Sequence, residues 1–439
     1  MPDRDSEPLA PARRSGIFWG WWIVIGAIVG QFAAMGSGGA IAGVFLRPMT
    51  SDLGWAAAEY TLGGSTAFLV GGIAGFIVGP LVDRFGARPL MLIGACIYAM
   101  SFFLMSQISA LWQFVALSML AGGAGFAMIG TLVVNSTLAK WFVVRRGWAI
   151  ALGSSGISLA GLIMPVSMTG IVDWVGWRDA YVVLAAVMFA IIVPAAMVMR
   201  RRPEDYGLLP DGADPRAWAR AGAELAAAQA RDAENSLSRG QAVRTSAIWL
   251  LIVGYGCNTL ALTAVLVHAI PFLTDHGFAR TEAALAIAVN GGANLSSKFV
   301  WGFLLQRIHV RKLSATALCT SATGVALMLL SAQAGSLGLM FVAFSFWGFG
   351  FGGSVPLSDF IWAKYFGRVH IGAVRGVGAP FTVALGAVGP VLAGLYFDAI
   401  GSYTGAFVAF VGVYLVGAIA IFVSREPQPQ PDPAAESGD

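Results

Sequence analysis

The sequence predicts an all-α membrane protein with twelve transmembrane helices in two pseudo-symmetric six-helix bundles and both termini cytoplasmic. Composition, the spacing of apolar segments and an internal repeat carry that prediction. Of 439 residues, 57% are hydrophobic and 11% charged, with a mean hydropathy of +0.74. A soluble domain carries roughly a quarter of its residues charged, so this chain needs a lipid bilayer around it. Its 56 glycines agree, because helices in lipid pack through small residues. The net charge of +4 is no nucleic-acid signature, since the basic residues lie between apolar segments. Cys96, Cys257 and Cys319 lie far apart inside apolar stretches, so neither a disulfide framework nor a metal site is expected. The first sixteen residues contain no apolar core, so no cleaved signal peptide is expected and the first helix serves as the insertion signal.

A span needs about 20 mostly apolar residues. Such segments run over 18–44, 61–82, 89–108, 111–138, 147–172 and 180–199. They resume over 247–273, 281–304, 313–333, 336–361, 371–397 and 404–423. The chain thus divides into a cytosolic tail (1–17), a first bundle (18–199), a cytosolic central loop (200–246), a second bundle (247–423) and a tail (424–439). Twenty-three of the 27 Lys and Arg residues fall on the face carrying both termini, against Arg47, Arg178 and Arg280 opposite. Basic residues mark the cytoplasmic side, so that face is cytoplasmic. Within the central loop, Pro215–Asn235 is Ala-rich with scattered charges and reads as a surface helix. The Pro-rich acidic stretch Pro427–Asp439 reads as disordered.

Sliding one half along the other exposes a duplication. At an offset of 223, Pro48, Asp52, Gly54 and Glu59 fall on Pro271, Asp275, Gly277 and Glu282. Gly79, Leu81 and Arg84 fall on Gly302, Leu304 and Arg307 at the same offset. At 224, Ala139-Lys140-Trp141-Phe142 meets Ala363-Lys364-Tyr365-Phe366, and Asn135 meets Asp359. At 225, Asp173 and Gly176 meet Asp398 and Gly401. Two similar bundles can rock about a site near the membrane midplane, which is one architecture of alternating-access transport.

The loop Gly79-Pro-Leu81-Val-Asp83-Arg84-Phe-Gly86-Ala-Arg88 resembles the signature between the second and third helices of the major facilitator superfamily. The resemblance extends over about 18–423 and implies the major facilitator fold. It implies gating roles for Asp83, Arg84 and Arg88, with Asp83 capping or pairing across the bundle interface. The second copy is degenerate, with Gln306 in place of the acid. Three segments resemble the monocarboxylate transporter and oxalate–formate antiporter branch, as found in bacterial members. They are Trp19-Gly20-Trp21-Trp22, Trp141-Phe142 with Arg145-Arg146, and Val267-His268 through Pro271-Phe272 to Asp275. The branch's usual acidic residue before the first of these is absent.

Lys298 is the sharpest site candidate, a charge inside the eighth span on the same helical face as Asn294. The resembled branch carries an acid and an arginine at this spacing, the arginine for the substrate carboxylate and the acid for proton coupling. Here Asn294 stands at the acid position and cannot carry a proton. Lys298 is read as an anion contact, against the alternative that it snorkels to the interface. Asn290, Asn258 and Gln31 are buried amides suited to line a cavity or bridge helices. Arg375 reads as a loop or gating residue, the alternative implied by the resembled antiporter being a second anion contact beside Lys298. Asp359 reads as an inner-gate partner of Arg375 or Lys364 or as a surface acid near a helix end, and His268 as an interfacial hydrogen-bonder with titration as the alternative. Gly153, Gly156, Gly161 and Pro165, with Gly386, Gly389, Pro390 and Gly394, let the fifth and eleventh helices bend and pack closely.

These residues predict a secondary carrier in a bacterial cytoplasmic membrane. It moves a small organic anion, a monocarboxylate or related acid, coupled to a proton (H+) or by exchange. It is expected to work as a monomer, without a cofactor. The alternative is an efflux carrier for a drug or other foreign solute. A signalling receptor lacks support in the short tails, and an enzyme would need a His/carboxylate or Ser/His cluster that the spans do not carry. His268, His276, His309 and His370 are scattered.

Overall fold

The computed structural model describes residues 18–213, 237–367 and 371–427, so the expected surface helix at 215–235 and most of the acidic tail lie outside the described residues. A helix covers every apolar segment named above. In chain order they are α1 Gly20–Gly36, α2 Ala42–Leu53, α3 Ala57–Phe85, α4 Ala87–Met105, α5 Leu111–Ser118, α6 Phe126–Ile129, α7 Thr131–Trp141 and α8 Arg146–Val198. After the central loop come α9 Arg239–Val243, α10 Ser246–Asp275, α11 Arg280–Leu304, α12 Val310–Ala334, α13 Leu337–Phe366, α14 Ile371–Ile400 and α15 Thr404–Val423. Eight helices among the described residues are long and apolar enough to cross a bilayer, and the bent α3 makes a ninth.

Besides the bent α3, four apolar segments depart from simple rods. The first apolar segment breaks at residues 37–41, where Ser37 folds its hydroxyl onto the Ala33 carbonyl at 2.6 Å and a glycine pair follows. The fourth widens into a π-helical stretch, Met119–Gly125, whose glycines lie against Val70 of α3 and Tyr98 of α4. The fifth and sixth run together as the 53-residue α8, broken only where Gly176 takes φ 82° and ψ 166°, a conformation open to glycine alone at low cost. Its two legs form a hairpin, because both ends reach one region. Arg200 accepts from the Trp141 indole at 3.0 Å, next to where the first leg begins.

Loop contacts sort the chain's ends into two faces. On one face the Asp211 carboxylate accepts from the backbone N–H groups of Val143, Val144 and Arg145 at 2.9, 2.9 and 3.0 Å. Arg200 is sandwiched between the Trp19 and Tyr206 rings, and Lys140 meets Asp83 at 2.7 Å. This basic face thereby fixes the start of the central loop to the entry of α8. Replacing Asp211 with alanine orphans three donors ahead of α8 and is expected to cost about 1–2 kcal/mol. A lowered thermal midpoint in detergent, with Asp211→Asn retaining part, is the check.

The opposite face carries the remaining loops, and here the repeat is visible as geometry. Glu59 accepts from the Ala56 N–H at 2.9 Å, and Glu282, its repeat mate, from the Ala279 N–H at 2.8 Å. Each acid caps the helix it starts, where negative charge suits the helix dipole. The two halves of the chain, before residue 200 and after 246, meet along two antiparallel seams, α8 with α11 and α3 with α14, and where α2 packs on α10.

Candidate functional site

The α8–α11 seam brings small and polar side chains into register. From the basic face inward, Lys298 Nζ donates to the Ser154 carbonyl at 3.0 Å and contacts its hydroxyl at 3.4 Å. One turn further in, the Ser158 hydroxyl donates to Asn294 Oδ1 at 2.6 Å. Then Gly161 meets Gly291 backbone to backbone, where a Cβ on Gly291 would lie 2.5 Å from the Gly161 carbonyl carbon. At the far end Arg280 pairs with Asp173. Serines at i and i+4 on α8 thus face an asparagine and a lysine at i and i+4 on α11, because both helices repeat near 3.6 residues.

Next to this seam lies a small cavity of about 10 Å³, space for about one water. Both halves line it. Met35, Leu266, Ile287 and Phe351 make apolar walls, and Ser158, Asn290 and Asn294 supply the polar atoms. Asn290 is buried, and its Nδ2 has no partner among the described residues. A buried donor left unmade costs about 1–3 kcal/mol, and this one lies toward Gly348 of α13. Lys298 is half-buried and forms no ion pair with any described carboxylate. Its ammonium rests on a neutral carbonyl in a span, where an unbalanced charge is costly.

The other candidates lie elsewhere. Gln31 is buried, donating to Asn135 Oδ1 at 3.4 Å and accepting from Thr131 at 3.2 Å, so it ties α1 to α7. Asn258 accepts from the Ser354 hydroxyl at 3.4 Å and ties α10 to α13. Both bridge helices within one half and neither lines the cavity. Arg375 meets Asp359 at 2.6 Å, an exposed pair within the second half, while Lys364 turns to Glu426 at 4.0 Å. Asp83 pairs with Lys140 of its own half rather than across the interface, and Arg201 donates to its carbonyl at 3.2 Å. Arg84 lies over the Phe85 ring, and Arg88 contacts the Met197 sulfur at 3.0 Å. His268 is fully buried, its Nε2 3.0 Å from the Pro390 carbonyl and its ring against Tyr403, so it belongs to the packing of α10 on α14.

Ser154 and Ser158 were not among the sequence candidates, although their four-residue spacing matches that of Asn294 and Lys298. Nor were the ties across the face opposite the basic one. Arg47 pairs with Asp275. Arg280 pairs with Asp173 and also donates to the Val44 carbonyl at 2.5 Å. Asp398 accepts from the N–H groups of Ala57 and Ala58 at 3.1 and 3.0 Å. Every one of these joins the two halves. The described pairs of the basic face, Asp83–Lys140, Asp359–Arg375, Lys364–Glu426 and His309–Glu426, join none.

Two similar helical bundles with a small cavity between them are the architecture of alternating-access transport. Residues 27–387 and 251–438 match the Major Facilitator Superfamily, and the chain belongs to that family. It is 23% identical over 407 residues to monocarboxylate transporter 13 of Rattus norvegicus, covering 92% of this chain and 89% of that protein. It is 29% identical over 192 residues to the MFS-type transporter pynF of Aspergillus niger, a match that spans 43% of each chain. Among solved structures it resembles a bacterial homologue of the human lysosomal transporter Spinster. That likeness has a TM-score of 0.70, covers 93% of this chain and 97% of that one, and at 14% identity speaks for the fold.

Proposed function

We propose that the chain is a secondary active carrier of a small organic anion, a monocarboxylate or related acid, in a bacterial cytoplasmic membrane. Lys298 carries the reading: a half-buried ammonium on the seam between the halves, with no described carboxylate to balance it, four residues from a cavity-lining Asn294. In this reading the substrate carboxylate takes the ammonium from the Ser154 carbonyl, and Asn290 and Asn294 orient the rest of the solute. The likeness to a monocarboxylate transporter along nearly the whole chain supports the same solute class. Transport runs by alternating access, driven by a proton or by exchange, and the carrier works as a monomer with the basic face in the cytoplasm.

The test is uptake of labelled small carboxylates into proteoliposomes, with an inward proton gradient imposed and then collapsed, and with a counter-anion inside. Lys298→Ala is expected to lower uptake at least about tenfold, the scale of one lost charge-assisted hydrogen bond. Lys298→Arg should keep part of it. Wild-type uptake of no carboxylate, or full uptake by Lys298→Ala, would overturn the reading. Efflux of a foreign apolar solute then becomes the better one, favoured by the cavity walls Met35, Leu266, Ile287 and Phe351.

A further inference from the structure

Four aspartates sit at the repeat-related loops of the face opposite the basic one: Asp52, Asp173, Asp275 and Asp398. Asp52 stays within its own half, accepting from the Trp177 indole at 3.1 Å and meeting Arg178 at 3.2 Å. The other three cross. Asp275 at the end of α10 takes Arg47 of α2, whose guanidinium also lies 5.0 Å from the Phe397 ring centre of α14. Asp173 in α8 takes Arg280. Asp398 near the end of α14 takes the first two N–H groups of α3.

The last two contacts occupy equivalent places in the duplicated chain. Asp173 and Asp398 are repeat mates at an offset of 225, and their partners Ala57 and Arg280 are mates at 223. Both partners are the first residue of a helix, α3 and α11 respectively. One carboxylate therefore binds a helix start through a guanidinium side chain. Its mate binds one directly through the backbone, where unpaired N–H groups and the helix dipole attract a negative charge. Close packing behind each tie is also duplicated. Gly161 meets Gly291, and Gly386 meets Phe68, again mates at 225 and 223.

We propose that Asp173–Arg280 and Asp398 on the α3 N-terminus are a duplicated latch. Together with Arg47–Asp275 they hold the outer mouth of the carrier shut, and they must part before solute enters from outside. The twin ties are chemically unequal. Salt screens both, but only the ion pair can be restored by exchanging its charges, because the helix-start tie rests on a carboxylate facing two N–H groups with no side-chain cation. On the basic side the described residues join the halves by no ion pair, and Lys298 bridges them only through the neutral Ser154 carbonyl, so the three ties bias the empty carrier toward outer closure. The proposal is independent of which solute is carried, so it stands or falls apart from the organic-anion reading.

Spin labels at Gln107→Cys and Gln333→Cys report on the outer mouth. Both are exposed, lie outside the latch and belong to different halves. The labelled protein has Cys96, Cys257 and Cys319 replaced by serine, and double electron–electron resonance is recorded in lipid nanodiscs without solute. The labelled parent should give a short distance. Asp173→Asn and Asp398→Asn should each raise a longer-distance population by about tenfold, the scale of a lost charged contact, and both together by more. The swap Asp173→Arg with Arg280→Asp should return the short distance. In Asp398→Asn, 1 M salt, where the screening length is about 3 Å, should lengthen the distances further. Folding of each variant is checked by elution profile and melting midpoint. Folded variants with the parent distribution, or a folded swap that stays long, would overturn the latch. Should either neutral variant fail to fold, the swap and the salt response of the labelled parent decide the matter alone.

Discussion

Gly291→Val is expected to abolish transport and to lower the melting midpoint of the protein, whereas Gly292→Ala beside it changes neither. A Cβ at residue 291 would lie 2.4 Å from the Leu162 nitrogen, 2.5 Å from the Gly161 carbonyl carbon and 2.9 Å from the Leu162 Cα. All three are backbone atoms of α8, so no rotamer change relieves the overlap and the two helices must move apart. At Gly292 the nearest atom is a Leu162 methyl at 3.8 Å, an ordinary contact. Overpacking of a tight core costs about 1–3 kcal/mol. The functional loss exceeds that figure, because Ser158–Asn294 and Ser154–Lys298 lie within two turns of the same seam and need its spacing. A melting curve and a proteoliposome assay of the pair settle it. A Gly291→Val protein with the parent's midpoint and rate would show that the seam tolerates separation.

How far the sequence alone reaches is decided by what its patterns encode. Apolar length and basic-loop asymmetry are one-dimensional quantities, so the order of helices could be read directly. The duplicated Glu59 and Glu282 proved to be duplicated helix caps. Interior breaks were harder. The loop expected between 172 and 180 is a helix interrupted at one glycine, because Trp177 and Tyr181 pack well enough as helix to leave only Gly176 irregular. The first segment read as one span because the run Gly36–Ala42 carries no charge or proline to mark a break, yet its glycines permit the turn at 37–41.

Partners were less legible than faces. Helical spacing put Asn294 and Lys298 on one face, and the structure keeps them there. It could not say that Ser154 and Ser158 stand opposite, because a serine in a span usually folds back on its own helix, as Ser154 also does onto Ala151 at 2.8 Å. Buried amides are equally ambiguous by type. Asn290 and Asn294 line the cavity while Gln31 and Asn258 bridge neighbouring helices, a distinction made only by which helix lies alongside. Asp83 illustrates the same point for charges, since Lys140 of its own half reaches it first.

Asn294→Asp is expected to make anion transport collapse as pH rises, while leaving the fold intact. The substitution is nearly isosteric, and a carboxylate accepts the Ser158 hydroxyl as well as the amide oxygen does at 2.6 Å. It places a titratable group one helical turn, about 6 Å, from Lys298. At an effective dielectric near 20, two opposite charges at that distance attract by about 3 kcal/mol, enough to compete with a substrate carboxylate by about 100-fold. The sign follows from which form carries charge. Below the new carboxyl's pKa it is neutral, Lys298 remains available, and uptake stays near the parent level. Above it the carboxylate occupies Lys298 and uptake falls. Asn294→Leu, which loses the Ser158 bond without gaining a charge, should weaken transport at every pH by a similar factor. The measurement is uptake of the best-carried carboxylate against pH, each variant divided by wild type. A flat ratio for Asn294→Asp would mean that residues 294 and 298 do not share one anion site, and that Lys298 serves the seam through Ser154 alone.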